Sequence, residues 1–246
     1  AQGVDQGSSP TPRVEPNGPT HPVFIALAET VRRHGGGGGE HQSGGAGPPT
    51  NTPFDRLIQA FELDQTLHHY QTWDQLVHYC TLSADPVGRI VLALAGYADT
   101  PENAQLYAMS DATCTALQLT NHWQDVRRDL LEKDRIYVPS ADTGVTPEVL
   151  KDWATRTNDP EARIPYIKMM RELVIRTNKL YEKGKPLASK LDRGIGPVVW
   201  LFGAGGRSVL RAIERGGCTT LWKRPTLTPS VKAWLLARAW ITTRLH

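Results

Sequence analysis

The chain has 246 residues, 39% of them hydrophobic and 22% charged, which is ordinary globular usage and length enough for one sizeable core. Its 28 Lys and Arg against 25 Asp and Glu leave only +3, and no block of five like charges occurs. That weighs against a dedicated nucleic-acid binder, which concentrates its basic residues far more.

Residues 1–20 hold seven Gly or Pro with almost no apolar anchor, so they read as a disordered lead. Thr20-His21-Pro22 then sets a capping residue and an early proline before VFIALAETVRRH, which Gly35 ends. Residues 35–53 hold eleven Gly or Pro and read as a flexible loop inside a domain spanning 21–246. From Phe54 to about Tyr79, Leu57, Ile58, Phe61, Leu67, Tyr70 and Leu76 recur at helical spacing. After Pro86, VGRIVLALAGYA is apolar on most faces and predicts a central helix. The 103–133 stretch has no Pro or Gly and predicts one long helix with a stripe through Leu106, Met109, Thr113, Leu117 and Thr120. Thr146-Pro147, Asp159-Pro160 and Thr228-Pro229 signal further helix starts, and RIYVP at 135–139 is the best extended piece. The expected fold is a single all-α domain of roughly eight helices, a bundle around a central cavity.

Two features bear on location. Cys80, Cys114 and Cys218 form no CxxC and read as reduced thiols, consistent with a cytoplasmic protein. The longest mostly apolar run, Ile90 to Ala95, is far short of the ~20 residues that a spanning helix needs. The C-terminal segment, with Trp234, Leu235 and Trp240 beside Lys232, Arg238 and Arg244, carries a modest membrane-surface pattern, although packing on the bundle is the plainer reading.

The chemistry concentrates in ALQLTNHWQDVRRDLLEKDRIYVP, residues 116–139. Asn121, Asp125 and Asp129 are spaced i, i+4, i+8, so on a helix they drift by only ~40° per step and form a ladder rising ~6 Å per rung. Oxygen ligands so arranged suit Mg²⁺, which takes one or two carboxylates and fills its shell with substrate phosphate and water. The plain alternative is a solvated face, with Asp129 paired to Lys133 and Arg128 to Glu132. Gln118 and Gln124 lie beside the ladder.

This segment resembles the second aspartate-rich motif of the squalene/phytoene synthase family. Upstream, Asp64, Tyr70, Tyr79-Cys80 and Val87-Gly88 stand in the order of that family's preceding block. Downstream, the sequence around Arg224-Pro225 is similar to its C-terminal block, so the likeness runs from about His21 to Trp240. SADPVGR, and Gln124 before the aspartate, resemble most the hydroxysqualene synthase branch of bacterial hopanoid pathways. The resemblance implies an isoprenoid enzyme that converts presqualene diphosphate and water to hydroxysqualene; presqualene diphosphate, squalene or phytoene synthesis, from farnesyl or other prenyl diphosphates, is the neighbouring reading. It implies Mg²⁺ on Asn121, Asp125 and Asp129, and catalytic roles for Tyr79, Asp125 and Asp129. Gly88, Gln118, Gln124 and Arg224 are the implied substrate contacts, Gly88 leaving room for a prenyl chain. It also implies a first aspartate-rich motif upstream. Before His21 the acids are only Asp5 and Glu15, so the chain reads as truncated at its N-terminus. It is accordingly expected to have little turnover alone, to self-associate through exposed apolar faces, or to act as a remnant that binds a prenyl diphosphate or a partner.

Overall fold

The computed structural model describes residues 52–244, with side chains to Ile241. The lead at 1–20, the helix expected after His21 and nearly all of the 35–53 loop lie outside those residues.

Helix α1, Pro53–Thr66, opens on a capping box: Thr52 accepts from the Asp55 backbone N–H and the Asp55 carboxylate accepts from that of Thr52, with Pro53 at the first position. The helical run expected from Phe54 to Tyr79 is in fact two helices, and α2 spans Trp73–Ser83. Long-range pairing breaks it. The Ile136 N–H donates to the His68 carbonyl at 2.8 Å and the Tyr70 N–H to the Ile136 carbonyl at 3.3 Å, so 68–70 lies extended against 135–137. Thr72 then caps α2 by accepting from the Gln75 N–H at 3.1 Å.

Helix α3, Asp85–Leu94, ends at Gly96, whose φ of +88° suits a residue without a side chain. A 3₁₀ turn at Pro101–Asn103 leads into α4, Ala104–Glu132, the long helix that the sequence predicts over 103–133. The one-turn α5, Ser140–Thr143, is followed by α6, Pro147–Thr155, and α7, Pro160–Gly184. Thr146 and Asp159 cap the last two, as expected. Helices α8, Leu187–Lys190, α9, Gly196–Arg215, and α10, Pro229–Arg244, complete the bundle. Eight of these helices exceed one turn, and only an isolated bridge, His69 with Ile136, stands in for a sheet among the described residues.

Helix α4 is the axis: α7, α3, α9 and α2 all pack on it. Leu119 and Trp123 are fully buried on its core side with Tyr166, Met170 and Leu173 of α7, and the Trp123 indole donates to the Thr177 hydroxyl at 2.8 Å. The glycine string FGAGG lies inside α9, with no strand before it, and serves helix packing. A Cβ on Gly206 would meet the Tyr181 hydroxyl and Leu117, whereas one on Gly205 would meet nothing within 4 Å. Gly206→Ala is therefore expected to cost about 1–3 kcal/mol by overpacking. Gly205→Ala should gain up to ~1 kcal/mol from helix propensity. Thermal unfolding of the two variants would check the contrast.

Candidate functional site

Burial of Trp123, Val126 and Leu130 fixes the rotation of the C-terminal half of α4 and sets the acid ladder on its other side. The three rungs do not share one environment. Asn121 is exposed, while Asp125 and Asp129 are 2% and 4% exposed. Asp125 Oδ2 accepts from Arg128 Nη2 at 2.6 Å, and Asp125 Oδ1 accepts from Arg224 Nε. Asp129 pairs with Lys133 at 2.9 Å, as the sequence suggests. The alternative pairing of Arg128 with Glu132 is not made, since Arg128 turns back to the buried Asp125. An unpaired carboxylate costs far more inside than at the surface, so the buried acid takes the cation.

Arg224 arrives from 99 residues downstream, and Gln124 fixes its segment by donating from Nε2 to the Pro225 carbonyl at 2.7 Å. Arg127 adds two bonds of 3.2 Å, to the carbonyls of Ala154 and Leu221. Gln124 and Arg224, both read as substrate contacts, are thus joined to α4 before any ligand is considered. Gln118 is half-buried one turn before Asn121.

An aromatic wall stands beside the ladder. Tyr79 is buried, and its hydroxyl donates to Asp64 Oδ1 at 2.9 Å. Arg135 clasps the same residue, at 3.5 Å to the carboxylate and 3.0 Å to the backbone carbonyl. Tyr70 and Tyr137 flank Tyr79 with centroids 5.4 and 6.2 Å away, and burial raises the pKa of all three phenols, which stay protonated. His122 stacks on Tyr137 at 3.5 Å, and neither of its ring nitrogens has a hydrogen-bond partner. Burial, with Lys133 nearby, pushes its pKa down to about 3, so it is a neutral ring at ordinary pH. That suits a packing role. Arg128, Arg135, Tyr137 and the stacking of His122 are the parts of this site that sequence reasoning passed over.

Gly88 does two things. A Cβ there would strike Ser110 and would lie 2.6 Å from Cys114 Sγ, so its absence lets α3 close on α4. It also lines an apolar cavity of about 150 Å³, with Val87 and Val91 of α3, Leu117 of α4 and Val198 and Phe202 of α9.

The donor set is all oxygen: one amide and two carboxylates. No group of three or more His, Cys, Asp or Glu among the described residues is placed to hold a metal, so there is no all-protein cage. Two carboxylates fit Mg²⁺ shared with a diphosphate, and Asp129 Oδ1 is a buried oxygen with no aligned hydrogen bond.

Comparison with known proteins identifies the family. The family model for squalene/phytoene synthase matches residues 3–231, taking in the lead that the motifs alone left outside the likeness. The hydroxysqualene synthase of Rhodopseudomonas palustris is 31% identical over 68% of this chain and 54% of its own length. That of Zymomonas mobilis is 45% identical over 34% of this chain and 27% of its own. The crystal structure of squalene synthase HpnC from Alicyclobacillus acidocaldarius superposes with a TM-score of 0.64 at 37% identity, over 80% of this chain and 67% of that one. The chain spans about half the length, or less, of these hydroxysqualene synthases. On its matched family model and its helical architecture, the chain belongs to the squalene/phytoene synthase family.

Proposed function

We propose that this chain serves Mg²⁺-dependent ionisation of presqualene diphosphate, with water capturing the cation to give hydroxysqualene. The observation that carries the reading is the junction of Asp125 with Arg224, since it brings the acid ladder and the Arg-Pro segment to one place. The similarity to hydroxysqualene synthases supports the choice of branch.

Asn121, Asp125 and Asp129 would hold Mg²⁺, which when bound neutralises the leaving diphosphate. Arg224 and Arg128 have about half-exposed side chains and now rest on Asp125, so either can turn from the carboxylate to a diphosphate oxygen. Gln124 keeps the Arg224 segment against α4. In the reaction the C–O bond breaks with its electron pair on the diphosphate, and the cyclopropylcarbinyl cation rearranges. Water then adds and loses a proton. The apolar cavity beside Gly88 excludes water from the hydrocarbon, and the Tyr79 ring, fixed through Asp64, presents a π face to positive charge.

The test is incubation of the chain with presqualene diphosphate and Mg²⁺, followed by assay of released pyrophosphate and extraction of the products. Hydroxysqualene formed without NADPH is the expected product. Squalene only with NADPH, or phytoene from a C20 diphosphate, would assign the site to a sister reaction. Phytoene synthases of 27–34% identity make those arms worth running. Pyrophosphate binding with no product from any substrate would leave a prenyl-diphosphate binder.

A further inference from the structure

The charge of this chain is divided by position. Residues 196–246 carry eight Lys or Arg and one acid, Glu214, a net +7; residues 1–195 carry 20 against 24, a net −4. The basic part also exposes Phe202, Trp234 and Trp240, and four of the seven tryptophans lie in it.

Helix α10 packs on α9 through Leu235, which is 4% exposed. At 100° per residue, Trp234 and Ile241 then fall on one outward flank, Ala237 and Trp240 at the back, and Leu236 on the other flank. Trp234, Leu236, Trp240 and Ile241 are all exposed. Lys232 and Arg238 stand nearer the α9 side, and Arg238 lies over the rings of Trp200 and Trp234 at 5.0 and 5.4 Å. Over 233–241 the outward face of the helix is therefore apolar and its edges are basic, the reverse of an ordinary surface helix. Two clefts flank it, of about 240 and 440 Å³, both walled by Trp234 and both holding Arg211. Arg211 and Arg215 are exposed and have no ion pair with a carboxylate of the described residues.

We propose that the α9–α10 face docks on an anionic lipid bilayer. The apolar outer face of α10 would sink to the acyl boundary, while Arg211, Arg215 and Lys232 meet lipid phosphates at its rim. Sixteen residues are too few to span, and no helix among the described residues is long and apolar enough to cross a membrane, so α10 lies along the surface. Charge weighs against a symmetric contact between two copies of the chain, because that would set Arg211, Arg215, Lys232 and Arg238 against the same residues of the other copy. The proposal does not depend on the reaction assigned above.

The experiment is vesicle flotation of the full chain, with tryptophan fluorescence read in parallel. Vesicles of phosphatidylcholine alone are compared with vesicles that also contain phosphatidylglycerol. The chain should float with the anionic vesicles only, lose binding as salt is raised, and shift its emission to the blue. Reversing the charge of Arg211 and Arg215, as Arg211→Glu with Arg215→Glu, should weaken partition by at least about fivefold per residue. Leu236→Asp with Ile241→Asp should abolish the blue shift. Both pairs are exposed, and circular dichroism confirms that each variant is folded. No flotation with anionic vesicles, or equal flotation of the charge-reversed variant, overturns the proposal. So does a concentration-dependent dimer that Leu236→Asp dissolves, which would give the face to a second copy.

Discussion

Asp125→Ala is expected to remove Mg²⁺-dependent pyrophosphate binding by this chain, read by calorimetry, and to lower any turnover at least about a hundredfold, the upper end of what second-shell partners alone cost a metal site. Asp125 is the rung on which the three parts of the site converge: the ladder through α4, Arg128 one turn on, and Arg224 from the Arg-Pro segment. Removing it takes away a proposed ligand and also releases both guanidinium groups. Their side chains are 41% and 48% exposed, so water takes them up and the fold loses little. Asp125→Asn separates charge from shape, since its amide oxygen can still accept from Arg224. It should stay folded and lose Mg²⁺-dependent binding as Asp125→Ala does. If Asp125→Ala binds Mg²⁺ and pyrophosphate like the parent, the ladder is a structural ion-pair face and the proposed reaction fails with it.

Much of this site could be read before the structure, and the exceptions share a cause. The long helix α4 was legible because a stretch without Pro or Gly that carries an apolar stripe has one stable local solution. The ladder was legible because its spacing is a property of one helix. The break at 67–72 was not. Leu67, His68, His69 and Tyr70 contain no Gly or Pro, and only pairing with Ile136, far along the chain, makes them extended. The pairing of Arg128 was missed for a related reason. Glu132 is the usual helical partner at i+4, but it is exposed, whereas Asp125 at i−3 is buried and has more to gain. The contact of Arg224 with Asp125 had no local signal at all. The ladder spacing brought Asp125 under suspicion and the resemblance brought Arg224, and neither said that they touch.

Asp85→Asn is expected to stabilise the chain at alkaline pH by several kcal/mol and to leave it unchanged in acid. Asp85 opens α3 and is 3% exposed. Its Oδ1 accepts from the Thr115 hydroxyl at 2.8 Å. The guanidinium one turn on, Arg89, is already committed to Asp111 and Asp99. Burial therefore outweighs the Thr115 bond and lifts the carboxyl to a pKa of about 7, with Asp111 adding to the rise. In the unfolded chain the same group titrates near its ordinary value of 3.8. Between those two values the folded protein keeps a proton that the unfolded chain has released, so stability falls as pH rises from about 4 through 7. Above that window the cost is complete, on the order of 4 kcal/mol for a shift of this size. The buried His122 works in the opposite sense. Its pKa is depressed from 6.5 to about 3, so the unfolded chain takes up the proton first and stability falls as pH drops through that range. The two slopes partly cancel in the parent, which hides both. Asn in place of Asp85 keeps the oxygen that Thr115 needs and removes the charge, so the histidine slope is no longer opposed by it. Urea unfolding of parent and variant at about pH 8 and about pH 4 reads the difference directly. A variant no more stable than the parent at the higher pH would mean that the Asp85 carboxylate is well solvated in the folded state, and the buried setting assigned to it would be wrong.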